Sequence, residues 1–130
     1  AYVMNEGTDV TIFATGYLVY PALQAAYALS EQGFSVEVIN IATIKPLDEE
    51  AVLKSVAKTK CVVTAEEHLM NGGLGDSISQ LLSRRMPAPV EYVAVDDQFG
   101  ESGTPDQLMK AYGLDMEHIM DACKKAIARK

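Results

Sequence analysis

Short apolar runs alternate along this chain with longer segments in which apolar residues recur at helical spacing. Residues 9–14 form a β-branched apolar run that ends before a Thr-Gly pair, which predicts a strand buried on both faces and then a turn. A helix follows, since apolar residues recur from Leu18 to Leu29 and Gly33 provides a stop signal. The same kind of pattern predicts further strands in four places, at residues 36–41, 61–65, 90–95 and, as a short edge strand, 2–4.

The segments between the later strands carry helix signals as well. Asp48 is a suitable N-cap residue for a second helix, which has Val52 and Val56 on its apolar face. A Gly-Gly pair at 72–73 precedes a third helix, and an apolar stripe that starts at Leu74 runs along it until prolines end the pattern. Each of these helices lies between two predicted strands, as the crossover between parallel strands requires.

Two helices are predicted after the last strand. Thr104, Pro105 and Gln107 give the first of them a capping-box pattern, and we expect this helix to stop at Gly113. The second begins at Asp115 and has a continuous apolar face. Its basic residues lie at the C-terminal end, where the helix dipole favours positive charge.

This alternation predicts an α/β fold in a single domain, residues 1–130, with a mostly parallel sheet between layers of helices. In such sheets, ligands bind outside the carboxyl ends of the strands, at the point where the direction of winding reverses. If strands 9–14 and 61–65 are neighbours, the residues that follow them line that crevice. The candidates at this position are Thr15, Gly16, Glu66, Glu67 and His68.

The overall charge limits the classes of partner. The chain carries a formal net charge of −7 with a pI near 4.7, which repels phosphodiester backbones and anionic membrane surfaces. No apolar run has the length of a membrane span, and no signal-peptide pattern opens the chain. We therefore expect a cytoplasmic protein without nucleic-acid or membrane partners. The chain begins at Ala1 rather than Met, which fits a processed protein or a piece of a longer one, and we expect the second.

Neither the cysteines nor the histidines suggest a metal site. Cys61 lies in an apolar strand and Cys123 on an apolar helix face, so we favour two buried free thiols over a disulfide. The histidines are His68 and His118, and no pair of potential ligands has zinc-site spacing. The sequence therefore predicts no metal ligands.

The densest cluster of polar residues and glycines lies between strand 61–65 and the helix after it. Carboxylates beside an imidazole can do acid–base chemistry, and N–H groups at a helix start can bind an anion. Alternatively, the glycines allow a tight turn and close packing of the helix, and the histidine is structural; we favour this second interpretation. The cluster consists of Glu66, Glu67, His68, Asn71, Gly72, Gly73 and Gly75.

Two familiar motifs are incomplete in this chain. Gly73 and Gly75 would need a third glycine three residues later to form a dinucleotide fingerprint, but Ile78 stands there. Residues 100–104 resemble a nucleophile elbow, but the second glycine is displaced by one position. We therefore favour neither an NAD site nor a hydrolase.

Taken in order, three motifs resemble the C-terminal domain of the transketolase family. They are residues 62–68, the Gly-Gly-Leu-Gly run at 72–75, and residues 97–103. Residues 9–16 and 40–48 are similar to the same domain in deoxyxylulose-phosphate synthase and in the beta subunits of 2-oxoacid dehydrogenases. The resemblance covers nearly the whole chain.

Within this family, two segments look closest to transketolases that are divided into two polypeptides. These are residues 99–103 and the run Tyr-Gly-Leu-Asp at 112–115. Deoxyxylulose-phosphate synthase is a close alternative, although its usual form has Asn in place of His68.

The resemblance implies a three-layer α/β/α domain with a mixed, mostly parallel five-stranded sheet and one antiparallel edge strand. It also implies partners: the pyrophosphate- and pyrimidine-binding domains of the same enzyme, and a second copy in a homodimer. Those domains hold thiamine diphosphate and Mg²⁺ in the complete enzyme, so we expect no cofactor bound by this chain and no catalytic residue in it. The resemblance adds Phe99 and Ser102 to the candidate cleft or interface residues.

Two other functions compete with an assembly domain. The doubly wound layout is compatible with a small-ligand or nucleotide sensor at the switch-point crevice. The relatives among the dehydrogenases suggest a docking module for an acyltransferase core.

Overall fold

A computed structural model describes residues 2–42, 46–67, 73–95 and 104–130. This part of the chain forms five strands: β1 (Tyr2–Asn5), β2 (Val10–Ala14), β3 (Val36–Asn40), β4 (Val62–Glu67) and β5 (Val90–Val95). A 3-10 turn at Gly16–Leu18 leads into the first of four helices: α1 (Val19–Glu31), α2 (Glu49–Thr59), α3 (Leu74–Arg85) and α4 (Pro105–Arg129).

The strands form one mixed sheet in the order β1-β3-β2-β4-β5. β1 runs antiparallel to β3, with Val3 opposite Ile39, and the remaining neighbours are parallel. β2 is therefore central, with β3 on one side of it and β4 on the other. The predicted α/β fold with a single antiparallel edge strand is confirmed.

The helices cover the two faces of the sheet and enclose two apolar cores. α1 and α4 pack on one face, where Ile12, Leu29 and Ile119 are fully buried. α2 and α3 pack on the other face against Phe13 and Ile39. The domain thus has the three layers that the sequence pattern and the family resemblance predict.

Local signals mark several of the element ends. Asp48 caps α2, since its Oδ1 accepts a hydrogen bond from the Ala51 N–H at 3.1 Å. Thr104 and Gln107 form both hydrogen bonds of the capping box at the start of α4. α1 ends just before Gly33, whose φ of +91° is one that glycine adopts without strain.

The predicted break at Gly113 is wrong, because α4 is one continuous helix from Pro105 to Arg129. Among the described residues, the glycines with positive φ are Gly16 and Gly33, so Gly113 does not take the left-handed conformation that ends many helices. A glycine inside a helix costs only about 0.5–1 kcal/mol relative to alanine. Packing of α4 on the sheet and on α1, for example through Ile119 and Cys123, outweighs that cost.

Candidate functional site at the carboxyl ends of β2 and β4

β2 and β4 are parallel neighbours, so the residues after them meet at one edge of the sheet. Ala14 lies opposite Ala65, and the Thr15 N–H donates to the Ala65 carbonyl at 3.2 Å. The chain passes from β2 to β3 in one direction and from β4 to β5 in the other, with helices on opposite faces. The predicted switch point therefore exists, and it lies between β2 and β4.

Gly16 and Glu67 form one side of this crevice. Gly16 has a φ of +57°, which the turn after β2 requires and which favours glycine. A Cβ on Gly16 would lie 3.6 Å from Oε1 of Glu67, so this carboxylate stands directly beside the turn. The crevice therefore presents negative charge where many doubly wound proteins bind a phosphate.

Glu66 points to the opposite face of the sheet. Glu66 is only 4% exposed. Its Oε2 accepts a hydrogen bond at 2.7 Å from the N–H of Gly75, which lies in the first turn of α3. A carboxylate at this position interacts favourably with the positive end of the helix dipole. Oε1 of Glu66 and Oγ1 of Thr64 have no hydrogen-bond partner among the described residues.

The two carboxylates therefore do not form an acid–base pair. Glu66 and Glu67 are successive residues of β4 and alternate between faces, as strand geometry requires. Glu66 holds the start of α3, while Glu67 faces Gly16. The geometry supports a structural role for Glu66 and leaves Gly75 N–H unavailable to an anion.

Gly75 allows α3 to pack closely against β5. A Cβ there would lie 2.5 Å from Cε2 of Tyr92 and 3.2 Å from Oγ1 of Thr64. The Tyr92 hydroxyl donates to the Gly75 carbonyl at 3.1 Å and lies 2.6 Å from Oγ of Ser79. This supports the packing interpretation of the glycine. Nothing in the sequence pattern singled out Tyr92 beyond its place in a strand.

The structure brings five of the predicted candidates to the same edge of the sheet: Thr15, Gly16, Glu66, Glu67 and Gly75. Gly73 is the N-cap residue of α3 and makes no side-chain cap. The remaining candidates lie outside the described residues, and these are His68, Asn71, Gly72, Phe99 and Ser102.

A second polar cluster, which the sequence did not reveal, lies around Glu37 in β3. Its side chain is buried; Oε1 accepts from Lys58 Nζ at 2.5 Å and from the Gly7 N–H at 3.1 Å. Oε2 accepts from the Ser55 hydroxyl at 2.6 Å, and Ser55 Oγ lies 2.7 Å from Oγ1 of Thr11. Burial alone raises the pKa of Glu37, but these hydrogen bonds and the charge of Lys58 hold it below its ordinary value of 4.5. Both carboxylate oxygens of Glu37 have hydrogen-bond partners. Through Ser55 and Lys58 on α2 and the contact of Ser55 with Thr11, the cluster joins β2, β3 and α2.

Within the described part of the chain, no group of three or more His, Cys, Asp and Glu residues could hold a metal ion. Cys61 and Cys123 are both buried free thiols, as predicted. No helix among the described residues is long and apolar enough to cross a membrane. Fold and crevice together define a doubly wound α/β domain whose switch point carries a carboxylate.

Comparison with known proteins identifies the family. Residues 1–119 match the family described as Transketolase, C-terminal domain. A 6-deoxy-6-sulfo-D-fructose transketolase subunit from Clostridium sp. (strain MSTE9) is 46% identical over 130 residues, which are 100% of this chain and 40% of that protein. The 1-deoxy-D-xylulose-5-phosphate synthase 1 of Geobacter sulfurreducens is 38% identical over 130 residues, covering 98% of this chain and 20% of the synthase.

A solved structure points to the same family. It is described as a split gene transketolase, inactive beta4 tetramer, and it matches with a TM-score of 0.83 and 43% identity. The match covers 98% of this chain and 42% of the other. This chain belongs to the transketolase C-terminal domain family, which confirms the resemblance that its motifs indicate, and it spans well under half the length of these relatives.

Proposed function

We propose that this chain is the C-terminal structural and dimer-assembly domain of a transketolase. The complete enzyme would transfer two-carbon ketol units between sugar phosphates with thiamine diphosphate, and this domain would be inactive alone. The observation that carries the proposal is the match along the entire chain to a transketolase subunit at 46% identity, of which it spans only 40%. The identity to the synthase is lower, at 38%.

The proposal assigns thiamine diphosphate and Mg²⁺ to the pyrophosphate- and pyrimidine-binding domains of the enzyme. The described residues of this chain do not fit a diphosphate, because the Gly75 N–H is taken by Glu66 and the turn at Gly16 faces Glu67. No catalytic step is therefore assigned to this chain. Its role is to bury surface against those domains and against a second copy. The buried free thiols Cys61 and Cys123 are in keeping with a cytoplasmic location.

The first test uses the isolated chain in a thermal-shift titration with thiamine diphosphate and Mg²⁺. We expect no change in Tm, since a ligand stabilises a protein only when it binds the folded state. Saturable stabilisation of the isolated chain would contradict the proposal.

A second test mixes the chain with separately produced pyrophosphate- and pyrimidine-binding domains. We expect a complex with ketol-transfer activity that neither component shows alone. Formation of deoxyxylulose phosphate instead would favour the synthase, and a lack of any complex would reject an assembly role.

A further inference from the structure

One edge of the sheet is exposed, apolar and uncharged. All four residues of β1 are exposed, and Tyr2, Val3 and Met4 have 69%, 55% and 46% of their surface accessible. Among the described residues, β1 pairs with β3 alone, so one row of its backbone N–H and C=O groups has no strand partner. Natural proteins protect such an edge with charged side chains, proline, a β-bulge or a very short strand, because an open edge pairs readily with other strands. β1 has no charged side chain and no proline; it is four residues long, and its register against β3 shifts between Val3 and Asn5.

The opposite edge of the sheet carries that kind of protection. In β5, the carboxylate of Glu91 pairs with the guanidinium of Arg129 on α4, which also donates to the Val90 carbonyl at 3.2 Å. Tyr92 is tied to α3 through its hydroxyl. The two edges therefore differ, and β1 is the one open to strand addition.

A groove adjoins β1 on the side of α2. It has a volume of about 290 Å³. Val3, Ile39 and Ala51 form its apolar part, and the rest of its lining is polar and includes Glu6, Lys54 and the Lys58–Glu37 ion pair. An apolar side chain can enter this groove while its backbone pairs with β1, as in recognition by strand addition. Although the chain carries a net charge of −7, Tyr2–Asn5 carries none, so pairing there desolvates no charged group of β1.

We infer that the outer edge of β1 is the surface on which the rest of the longer protein docks. Its occupant is an uncharged, extended segment of an adjoining domain, which adds a strand to the sheet and places an apolar side chain in the groove. The inference rests on the proposed function. The chain spans 40% of its transketolase relative, so an enzyme of that length has further domains, and these need a surface of this domain to contact. β1 offers an open backbone edge together with an apolar patch, which a helix surface cannot do.

Two tyrosines allow a matched test. Tyr2 on β1 is 69% exposed and Tyr27 on α1 is 70% exposed, so a lysine at either place changes charge equally and disturbs the core little. In the chain mixed with its pyrophosphate- and pyrimidine-binding domains, we expect Tyr2→Lys to weaken association at least tenfold. Tyr27→Lys should change it less than twofold. Equal effects of the two variants, or a larger effect at Tyr27, would overturn the inference.

Hydrogen exchange provides a second measurement that needs no substitution. The amides of Tyr2–Asn5 should exchange at least ten times more slowly in the assembled protein than in the chain alone. Unchanged exchange at β1 in a complex that forms normally would overturn the inference while leaving the proposed function intact. Protection of β1 in the chain alone that rises with its concentration would show a second copy as the occupant, which also overturns it. A chain that forms no complex would reject the proposed function itself and this inference with it.

Discussion

The hydroxyl of Tyr17 donates a hydrogen bond to Oδ2 of Asp115, a carboxylate on α4 that is 7% exposed. Tyr17 lies in the turn that follows β2, directly after Thr15 and Gly16. The two partners are 98 positions apart in the chain. The side of the crevice that β2 provides is therefore fastened to the last helix, and its position depends on the packing of α4.

Loss of this hydrogen bond should destabilise the domain. We expect Tyr17→Phe to lower the free energy of unfolding by about 1–3 kcal/mol, because the buried carboxylate of Asp115 loses a donor. Urea denaturation of the chain measures this difference. Tyr27→Phe is the control, since Tyr27 is 70% exposed and should change stability by less than about 0.5 kcal/mol. Equal stability of the two variants would show that the bond contributes nothing.

Alanine at Gly113 should stabilise the domain. Among the described residues, no atom outside the helix's own backbone and the two chain neighbours lies within 4 Å of a Cβ at this position, and Gly113 lies inside a continuous helix. Gly113→Ala should therefore raise the free energy of unfolding by about 0.5–1 kcal/mol, through the higher helix propensity of alanine. A thermal denaturation curve decides the matter. A lower Tm would mean that the helix is interrupted at this residue in solution.

The same substitution at Gly7 should have the opposite result. A Cβ on Gly7 would lie 2.3 Å from the carbonyl carbon of Val36 and 2.5 Å from the Glu37 nitrogen, both of which are backbone atoms. These atoms cannot move without displacing β3. We expect Gly7→Ala to cost about 3 kcal/mol or more and to reduce soluble expression. Comparison with Gly113→Ala separates this clash from a general effect of replacing glycine, and a Gly7→Ala protein with unchanged stability would contradict it.

The cluster around Glu37 should make stability depend on acid pH. Because hydrogen bonds from Lys58, Ser55 and Gly7 outweigh burial and depress the pKa of Glu37, its ionised form stabilises the folded state above its ordinary value of 4.5. That contribution is lost as the pH falls below 4.5 and through the folded-state pKa. Unfolding free energies measured from pH 7 to pH 3 should therefore fall, and Glu37→Gln should give a flatter curve that starts lower.

Lys58→Met provides the matched control for that measurement. It removes the ammonium that lies 2.5 Å from Oε1 but keeps Ser55 and the Gly7 N–H as donors. The acid dependence should then shrink without vanishing. If the unfolding free energy falls identically with pH in the unmodified chain, Glu37→Gln and Lys58→Met, other carboxylates cause the acid dependence.

Both thiols should be unreactive in the folded chain. Burial raises the pKa of Cys61, although Lys130 partly offsets it, and burial raises the pKa of Cys123 further. Since the thiolate is the reactive form, alkylation by iodoacetamide at pH 8 should be at least about 100-fold slower than for a free cysteine. Mass spectrometry should find two alkylated thiols only after denaturant is added. Rapid modification of either residue in the native chain would contradict the burial described here.

Local patterns were enough to predict most of the fold. The β-branched runs predicted β2, β3, β4 and β5, the edge strand β1 was predicted at residues 2–4, and the capping residues Asp48 and Thr104 marked two helix starts correctly. The break at Gly113 was wrong because a single glycine is a weak local signal, whereas the packing of α4 on the sheet involves residues far apart in sequence. That packing keeps one helix intact where the local pattern predicts two.

The candidate site was predictable in position and only partly in arrangement. The crevice depended on whether β2 and β4 are neighbours, and strand order is set by long-range pairing that periodicity does not encode. The sequence pattern placed the end of the strand at residue 65, but β4 continues to Glu67. With two more residues in the strand, alternation separates Glu66 from Glu67, which a loop would not require. The partners of Glu37 were likewise invisible, because Gly7 precedes β2 and Ser55 and Lys58 lie on α2, all far from Glu37 in the sequence.

The hydrogen bond from the Gly75 N–H to Glu66 lies at the helix start where related folds bind a ligand. In related α/β architectures the start of a helix beside the switch point is offered to a phosphate group, and ligand affinity depends on it. Here the protein supplies the anion itself, from a side chain that is almost fully buried. The Gly75 N–H at the start of α3 is therefore paired by the chain itself, and it needs no bound metabolite to satisfy it.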